Sequence, residues 1–103
     1  MFDKNSRYVT RGIYQRLSPE MIVYLWDLID RSIDLGICTD YLQVIKFKDI
    51  DENMVQVERT QEDPPNSTIS FIGRRKEFAD ILTETIFVID DGDHSTMLFA
   101  YEY

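Results

Sequence analysis

The spacing of hydrophobic positions changes along the chain, and the clearest spacing is helical. Between residues 18 and 36, apolar side chains recur every three or four positions, which is typical of an amphipathic helix. Ser18 is suited to the N-cap, Pro19 to the first helical position and Gly36 to a left-handed stop. The pattern therefore predicts a helix over residues 19–35.

The predicted helix has an apolar stripe and an acidic face. The stripe consists of Ile22, Leu25, Trp26, Ile29 and Ile33, and it is widened on one flank by Met21 and Leu28. Carboxylates occupy the opposite side, at Glu20, Asp27, Asp30 and Asp34. A solvated surface explains this charge most simply, and an acidic docking stripe for a basic partner is the alternative.

Strand signals occupy much of the remaining sequence. β-branched and aromatic runs predict strands over residues 7–14, 41–50, 53–61 and 67–73, and two more in the apolar runs of 85–103. In the third of these, Val55 and Val57 alternate with Gln56 and Glu58, so one face should be buried and the other wet. The polar residues 49–53 predict a turn between the second and third strands, and Pro64 and Pro65 predict a loop at 62–66. Residues 74–83 have the spacing of a short second helix.

These elements predict one α+β domain over residues 1–103. The long helix should pack on a mostly antiparallel sheet of five or six strands, and a short second helix is compatible with the pattern. Alternation in the last strand places Phe99, Tyr101 and Tyr103 on one face, where half-buried packing explains them better than nucleobase stacking.

Composition supports a folded protein, and charge limits its partners. Hydrophobic residues make up 44% and aromatic residues 13% of the chain, which is incompatible with a disordered composition. The net charge of −8 disfavours direct nucleic-acid binding, which draws affinity from Lys and Arg. No apolar run approaches the roughly 20 residues that span a bilayer, and the N-terminus lacks the apolar core of a secretory signal, so we expect a cytoplasmic protein without membrane contact.

The charges are also segregated along the sequence. Residues 1–16 contain four basic side chains against Asp3 alone, whereas residues 80–103 contain six acidic side chains and no Lys or Arg. A head-to-tail oligomer that joins the basic N-terminal strand to the acidic C-terminal hairpin is one arrangement that this asymmetry allows.

The segment IDDGDHSTM, residues 89–97, contains three aspartates and the only histidine, His94. Its register does not match a helix-loop-helix calcium site, and no second histidine completes a transition-metal set. Asp91-Gly92 instead favours a tight hairpin turn. His94 with Asp90 or Asp93 as an acid-base pair, and Cys38 with His94 as a thiolate dyad, are the catalytic alternatives.

Cys38 is the single cysteine, so no intrachain disulfide is possible and a small hydrophobic role is the simpler interpretation. Glycine-rich phosphate loops do not occur in the sequence. We therefore predict no cofactor, no catalytic residue and no metal site.

Several segments in their order resemble a known family. The segments RYVTRGI, LWDLID, YLQVIKF, QEDPP and IDDGDHSTMLFAYEY are together similar to small proteins of Gram-positive bacteria that share a domain of unknown function. The resemblance covers almost the whole chain and implies a bacterial cytoplasmic context. It implies no activity and no functional residues.

The leading functional hypothesis is a non-enzymatic protein-interaction module with an unidentified protein partner, which does not exclude a homo-oligomer. Its predicted partner-binding residues are the carboxylates of the helix and the last hairpin, Asp27, Asp30, Asp34, Asp90, Asp91 and Asp93. Two alternatives are an acidic decoy that inhibits a nucleic-acid-binding protein and a small enzyme with a site near His94.

Overall fold

The computed structural model describes residues 1–65 and 67–103, so Asn66 of the predicted loop lies outside the described residues. Six strands and two α-helices follow one another along the chain. In order they are β1 (Arg7–Val9), α1 (Arg11–Arg16), α2 (Pro19–Asp34), β2 (Leu42–Asp49), β3 (Met54–Gln61), β4 (Ile69–Arg74), β5 (Thr85–Asp90) and β6 (Ser95–Phe99). Short 3₁₀ turns occupy Arg75–Glu77, Ala79–Ile81 and Ala100–Glu102.

The six strands form one mixed sheet in the order β1-β6-β5-β2-β3-β4. β1 runs parallel to β6, and the other neighbouring pairs are antiparallel. The predicted α+β class and the strand number are confirmed. The predicted mostly antiparallel arrangement is wrong: the sheet is mixed, because β1, near the N-terminus, pairs in parallel with β6, near the C-terminus.

The predicted helix over residues 19–35 is confirmed in part: α2 ends at Asp34, and Ser18 caps its start as predicted. Ser18 accepts a hydrogen bond from the Met21 N–H at 3.2 Å, and Gly36 has φ of +72°. The buried stripe, however, lies further toward one flank than predicted. Ser32 is buried and Ile33 is 37% exposed. The Ser32 hydroxyl donates to the Leu28 carbonyl at 2.7 Å, and the Ile37 and Cys38 amides donate to the Ser32 carbonyl.

The core lies between the helices and one face of the sheet. Six buried residues of the helices and the link between them meet seven buried residues of the strands; the first group is Ile13, Leu17, Met21, Leu25, Leu28 and Ile29, and the second is Ile45, Val55, Val57, Ile86, Val88, Met97 and Phe99. The predicted alternation in β3 is confirmed, since Val55 and Val57 are fully buried while Gln56 and Glu58 are only partly so.

The predicted strand over residues 7–14 is wrong after Val9. The Thr10 side chain accepts a hydrogen bond from the Ile13 N–H at 3.3 Å and caps α1. Local capping thus overrides the β-branched composition, and the helix buries Ile13.

The predicted second helix at 74–83 is also absent: two 3₁₀ turns separated by Phe78 bury that side chain and Ile81 instead. The last strand ends at Phe99, because the Glu102 carboxylate accepts a hydrogen bond from the Phe99 N–H at 2.8 Å and turns the chain. The predicted half-buried packing of three rings on one strand face is therefore wrong for the tyrosines. Tyr101 stacks on the buried Phe99, with ring centroids 5.2 Å apart, and Tyr103 contacts Phe87, but both tyrosines are largely exposed.

Both predicted hairpins are present. β2 and β3 pair around residues 50–53, where Asp51 accepts hydrogen bonds from the Asn53 and Met54 amides. In the β5–β6 hairpin the Asp91 N–H donates to the His94 carbonyl at 3.0 Å, so the central positions are Gly92 and Asp93. The turn is thus displaced by one residue from the predicted Asp91-Gly92, and Gly92 takes the positive φ of +100°. Within the described ranges, no helix has the length and apolar character needed to cross a membrane.

Candidate interaction edge and the predicted aspartates

The two edges of the sheet differ in how much backbone they expose. β1 is three residues long, whereas β4 extends over six residues and contains no proline. Short edge strands and prolines are common protections against pairing with another chain. The β4 edge lacks both protections.

The hydrogen-bond register identifies which amides of β4 point away from the sheet. The Arg75 N–H donates to the Asn53 carbonyl at 2.9 Å, and these two residues continue the register of β3 and β4 by one position. In an antiparallel ladder, alternate residues bond to alternate sides. Ile69, Phe71 and Gly73 therefore bond to β3, and the N–H and C=O groups of Ser70, Ile72 and Arg74 point outward.

Side chains of the strand divide in the same alternation. Phe71 and Ile69 lie on the helix side and pack against the core. Ile72 and Arg74 lie on the opposite face and are exposed, with Ile72 at 55%. An exposed isoleucine beside outward amides gives this edge both apolar area and backbone donors.

A groove runs beside β4 on its helix side. It has a volume of about 460 Å³ and is lined by residues of α2, β4 and the following 3₁₀ turn, which are Glu20, Tyr24, Phe71, Ile72, Gly73, Arg74, Glu77 and Phe78. Tyr24 packs edge-on against Phe71, with ring centroids 6.3 Å apart. The groove is thus walled by aromatic rings and carries charged groups at its rim.

Gly73 is required by the packing beneath this edge. A Cβ atom at this position would lie 2.7 Å from the Phe78 ring, which is too close for two carbon atoms. The ring of Phe78 therefore fills the space that a side chain at position 73 would need.

Three of the predicted partner-binding aspartates are engaged within the chain. Asp30 forms a two-pronged ion pair with Arg7, at 2.5 and 3.2 Å. Asp90 accepts hydrogen bonds from the Phe2 N–H at 2.5 Å and the Gly92 N–H at 2.7 Å. The Asp91 carboxylate accepts from the Asp93 and His94 amides, and these bonds lower the pKa of Asp91, with the His94 amide contributing most.

The other three, Asp27, Asp34 and Asp93, are exposed. Asp27 and Asp34 lie on α2, and Asp93 lies in the turn between β5 and β6. Of the six predicted partner-binding aspartates, three therefore form hydrogen bonds or ion pairs within the chain, and the other three point into solvent.

His94 and Cys38 occupy different settings. His94 lies 3.1 Å from the Asp91 carboxylate and packs edge-on against Tyr8 on an exposed turn. Cys38 follows α2 and is half-buried; burial raises the pKa of its thiol, and Arg59 opposes that shift only in part.

Among residues 1–65 and 67–103, no three His, Cys, Asp or Glu side chains are placed to hold a metal ion.

The exposed β4 edge was missed by sequence reasoning. The strand itself was predicted, but whether a strand lies at an edge depends on which distant segments pair with it. The run ISFIGR carries one usable signal, because an exposed isoleucine and arginine alternate with residues that face the core.

Comparison with known proteins places the chain in a family. A solved structure described as the crystal structure of a protein of unknown function from Enterococcus faecalis is similar to it, with a TM-score of 0.76 and 26% sequence identity. The match covers 99% of this chain and 94% of that one. No curated protein matches the sequence. The family model for DUF960, a staphylococcal protein of unknown function, matches residues 6–102. The predicted resemblance to Gram-positive proteins of unknown function is thus confirmed, and the chain belongs to the DUF960 family.

Proposed function

We propose that this protein is a non-enzymatic interaction module that accepts an extended strand of another chain along β4. The observation that carries the proposal is the six-residue edge at which the amides of Ser70, Ile72 and Arg74 point outward. Strand addition of this kind draws affinity from main-chain hydrogen bonds and specificity from pockets beside the edge.

The surroundings of β4 support this function. The groove between α2 and β4 offers the rings of Tyr24 and Phe71 to alternate side chains of a docked strand. Glu77 at its rim can pair with a basic side chain on that strand. The exposed face of a helix would offer no comparable row of free backbone groups, because the N–H and C=O groups of a helix bond to each other.

The experiment compares the wild type with Ile72→Pro and Ile72→Ala as affinity baits in bacterial lysate. Proline removes the outward amide and leaves the bonds from Phe71 and Gly73 to β3 in place. Alanine keeps the amide and removes only the side chain. We expect partners recovered by the wild type to be retained by Ile72→Ala and lost with Ile72→Pro.

Hydrogen exchange supplies the second readout. In the recovered complex, the amides of Ser70, Ile72 and Arg74 should exchange more slowly than in the free protein. Recovery of the same partners by Ile72→Pro, with unchanged exchange at these amides, would exclude β4 as the binding edge.

The acidic decoy is a distinct alternative, supported by the exposure of Asp27, Asp34 and Asp93. It requires partners that are basic nucleic-acid-binding proteins. Changing those three aspartates to asparagine should abolish their recovery, whereas Ile72→Pro should leave it intact. The two functions therefore give opposite results with the same set of baits.

A further inference from the structure

We propose that the strand that docks on β4 is β4 of a second copy, so that two sheets join into one across a twofold axis. This inference rests on the proposed function of the edge and names its partner. It follows from the register of the outward amides, the side chains on both faces and the distribution of charge.

The outward amides fit a self-paired antiparallel ladder. If Ile72 lies opposite Ile72 of the second copy, then Ser70 lies opposite Arg74 and Arg74 opposite Ser70. All three residues with outward N–H and C=O groups then meet one another. A register displaced by one residue would instead set them opposite residues whose amides already bond to β3.

The outer face is complementary in this register. The two Ile72 side chains, each 55% exposed in the single chain, become cross-strand neighbours and cover each other. Each Arg74 faces the small hydroxyl of Ser70. No bulky or like-charged pair lies directly opposite on this face.

The helix face is complementary as well. Phe71 lies opposite Gly73 of the second copy, where the ring of Phe78 fills the space of the missing side chain. The half-buried Phe71 ring can therefore extend its aromatic contacts with Phe78 and Tyr24 across the axis.

The charges at the ends of the strand also favour antiparallel self-pairing. Arg74 and Lys76 are exposed at the C-terminal end of β4, and Glu62 and Asp63 are exposed near the end where β4 begins. Antiparallel pairing brings the basic end of one copy to the acidic end of the other. The two Arg74 side chains lie about 13 Å apart along the strands, where salt screens their repulsion.

Twofold pairing also closes the edge. A heterologous contact would leave another free edge and continue into a filament, whereas an isologous β4 pair uses the same surface on both copies. The two remaining edges of the joined sheet are the three-residue β1 strands of the two copies, which are too short to recruit many further strands.

Sedimentation equilibrium from micromolar to millimolar concentration tests the proposal with the wild type, Ile72→Pro and Ile72→Ala. We expect a reversible dimer for the wild type, a weakened dimer for Ile72→Ala and a monomer for Ile72→Pro. Circular dichroism of each variant establishes that the fold is retained.

A charge exchange tests the register without touching the backbone. Ser70→Arg places a second arginine opposite Arg74 at both ends of the symmetric pair and should weaken the dimer on the order of fivefold. Combining it with Arg74→Glu should restore the affinity. Ser70→Asp should tighten the dimer by a similar factor, even though the new carboxylate would face Glu58 within its own sheet.

The outcomes separate this inference from the proposed function. A wild type that stays monomeric at millimolar concentration overturns self-pairing, and so does a dimer that is unaffected by both Ile72→Pro and Ser70→Arg. If such a monomer still recovers another protein in a manner that Ile72→Pro abolishes, the interaction function of β4 stands with a different partner. If no partner of either kind depends on the Ile72 amide, both proposals fail.

Discussion

Arg59 is the largest fully buried side chain in the described part of the molecule, and no carboxylate pairs with it there. Its guanidinium donates to the Gln43 side chain and to the Ser67 carbonyl, while its Nε has no partner among the residues that the structure describes. Burial lowers the pKa of Arg59. Gln43 in turn donates to Gln61 at 2.9 Å, and Gln61 accepts from the Thr39 amide. This network joins the chain after α2 to the ends of β2 and β3.

Truncation of Arg59 should therefore be costly mainly through lost volume. We expect Arg59→Ala to lower the free energy of unfolding by about 3–5 kcal/mol, because it leaves a cavity and two unpaired acceptors. Arg59→Met should cost only about 1–3 kcal/mol, because it fills the space and removes a poorly compensated charge. Urea unfolding measures both values. Equal losses for the two variants would show that the hydrogen bonds dominate over packing.

Cys38 should be an unreactive thiol at neutral pH. Desolvation raises its pKa, so the folded state disfavours the thiolate, and the stability that the thiol contributes is present below the unfolded pKa and lost as pH rises through the folded pKa. Alkylation by iodoacetamide should be slower in the folded protein than in the urea-unfolded chain. The pH at which the alkylation rate reaches half of its maximum should be higher for the folded protein. Because Cys38 is the only cysteine in the sequence, the measured alkylation rate comes from this site alone. Equal folded and unfolded rates near pH 8 would contradict this expectation.

At the scale of elements, the sequence predicts what local chemistry determines. The Ser18 cap, the helical spacing after it and the polar turn between β2 and β3 correspond to observed boundaries, and the turn between β5 and β6 lies one residue from its predicted position. The prediction fails after Val9, where a threonine cap overrides β-branched composition, and after Phe99, where Glu102 captures a backbone amide. In both places the strand ends because a polar side chain forms a hydrogen bond with the nearby backbone.

The β5–β6 turn contains a carboxylate whose effect on stability depends on pH. Hydrogen bonds from the His94 and Asp93 amides lower the pKa of Asp91. Because the folded pKa lies below the unfolded one, this stabilisation is present above the unfolded pKa and is lost as pH falls through the folded pKa. Asp91→Asn should therefore reduce the acid sensitivity of the melting temperature below about pH 4.

Asp93→Asn is the matched control for this measurement, since it makes the same change of charge in the same turn and its side chain is exposed. It should leave the pH dependence of the wild type nearly intact. If the two variants respond alike, net charge and not the turn geometry sets the acid sensitivity.

At the scale of the whole molecule, the charges that are segregated along the sequence meet within one chain. β1 pairs with β6, and Arg16 of the basic segment binds Glu84 of the acidic segment at 2.7 Å. Arg7 of the basic segment binds Asp30 of α2. The parallel β1–β6 contact joins the ends of the sequence, and no local pattern predicts it. The position of β4 at an edge follows from the same long-range pairing, which is why the strand was predictable and its exposed amides were not. The predicted aspartates were identifiable as charged, but their division between internal contacts and solvent also depends on this topology.

The net charge of −8 makes mutual repulsion of the exposed carboxylates a destabilising contribution to the folded state. Raising NaCl from about 0.05 to 0.5 M shortens the Debye length from about 14 to 4 Å and should screen the exposed carboxylates more than the part-buried Arg7–Asp30 pair. We therefore expect the melting temperature to rise with salt. Differential scanning calorimetry measures the shift, and choline chloride at the same ionic strength controls for specific sodium binding. A melting temperature that falls with both salts would mean that the ion pairs outweigh the net repulsion, whereas a rise of equal size with both would identify screening of the negative surface as the cause.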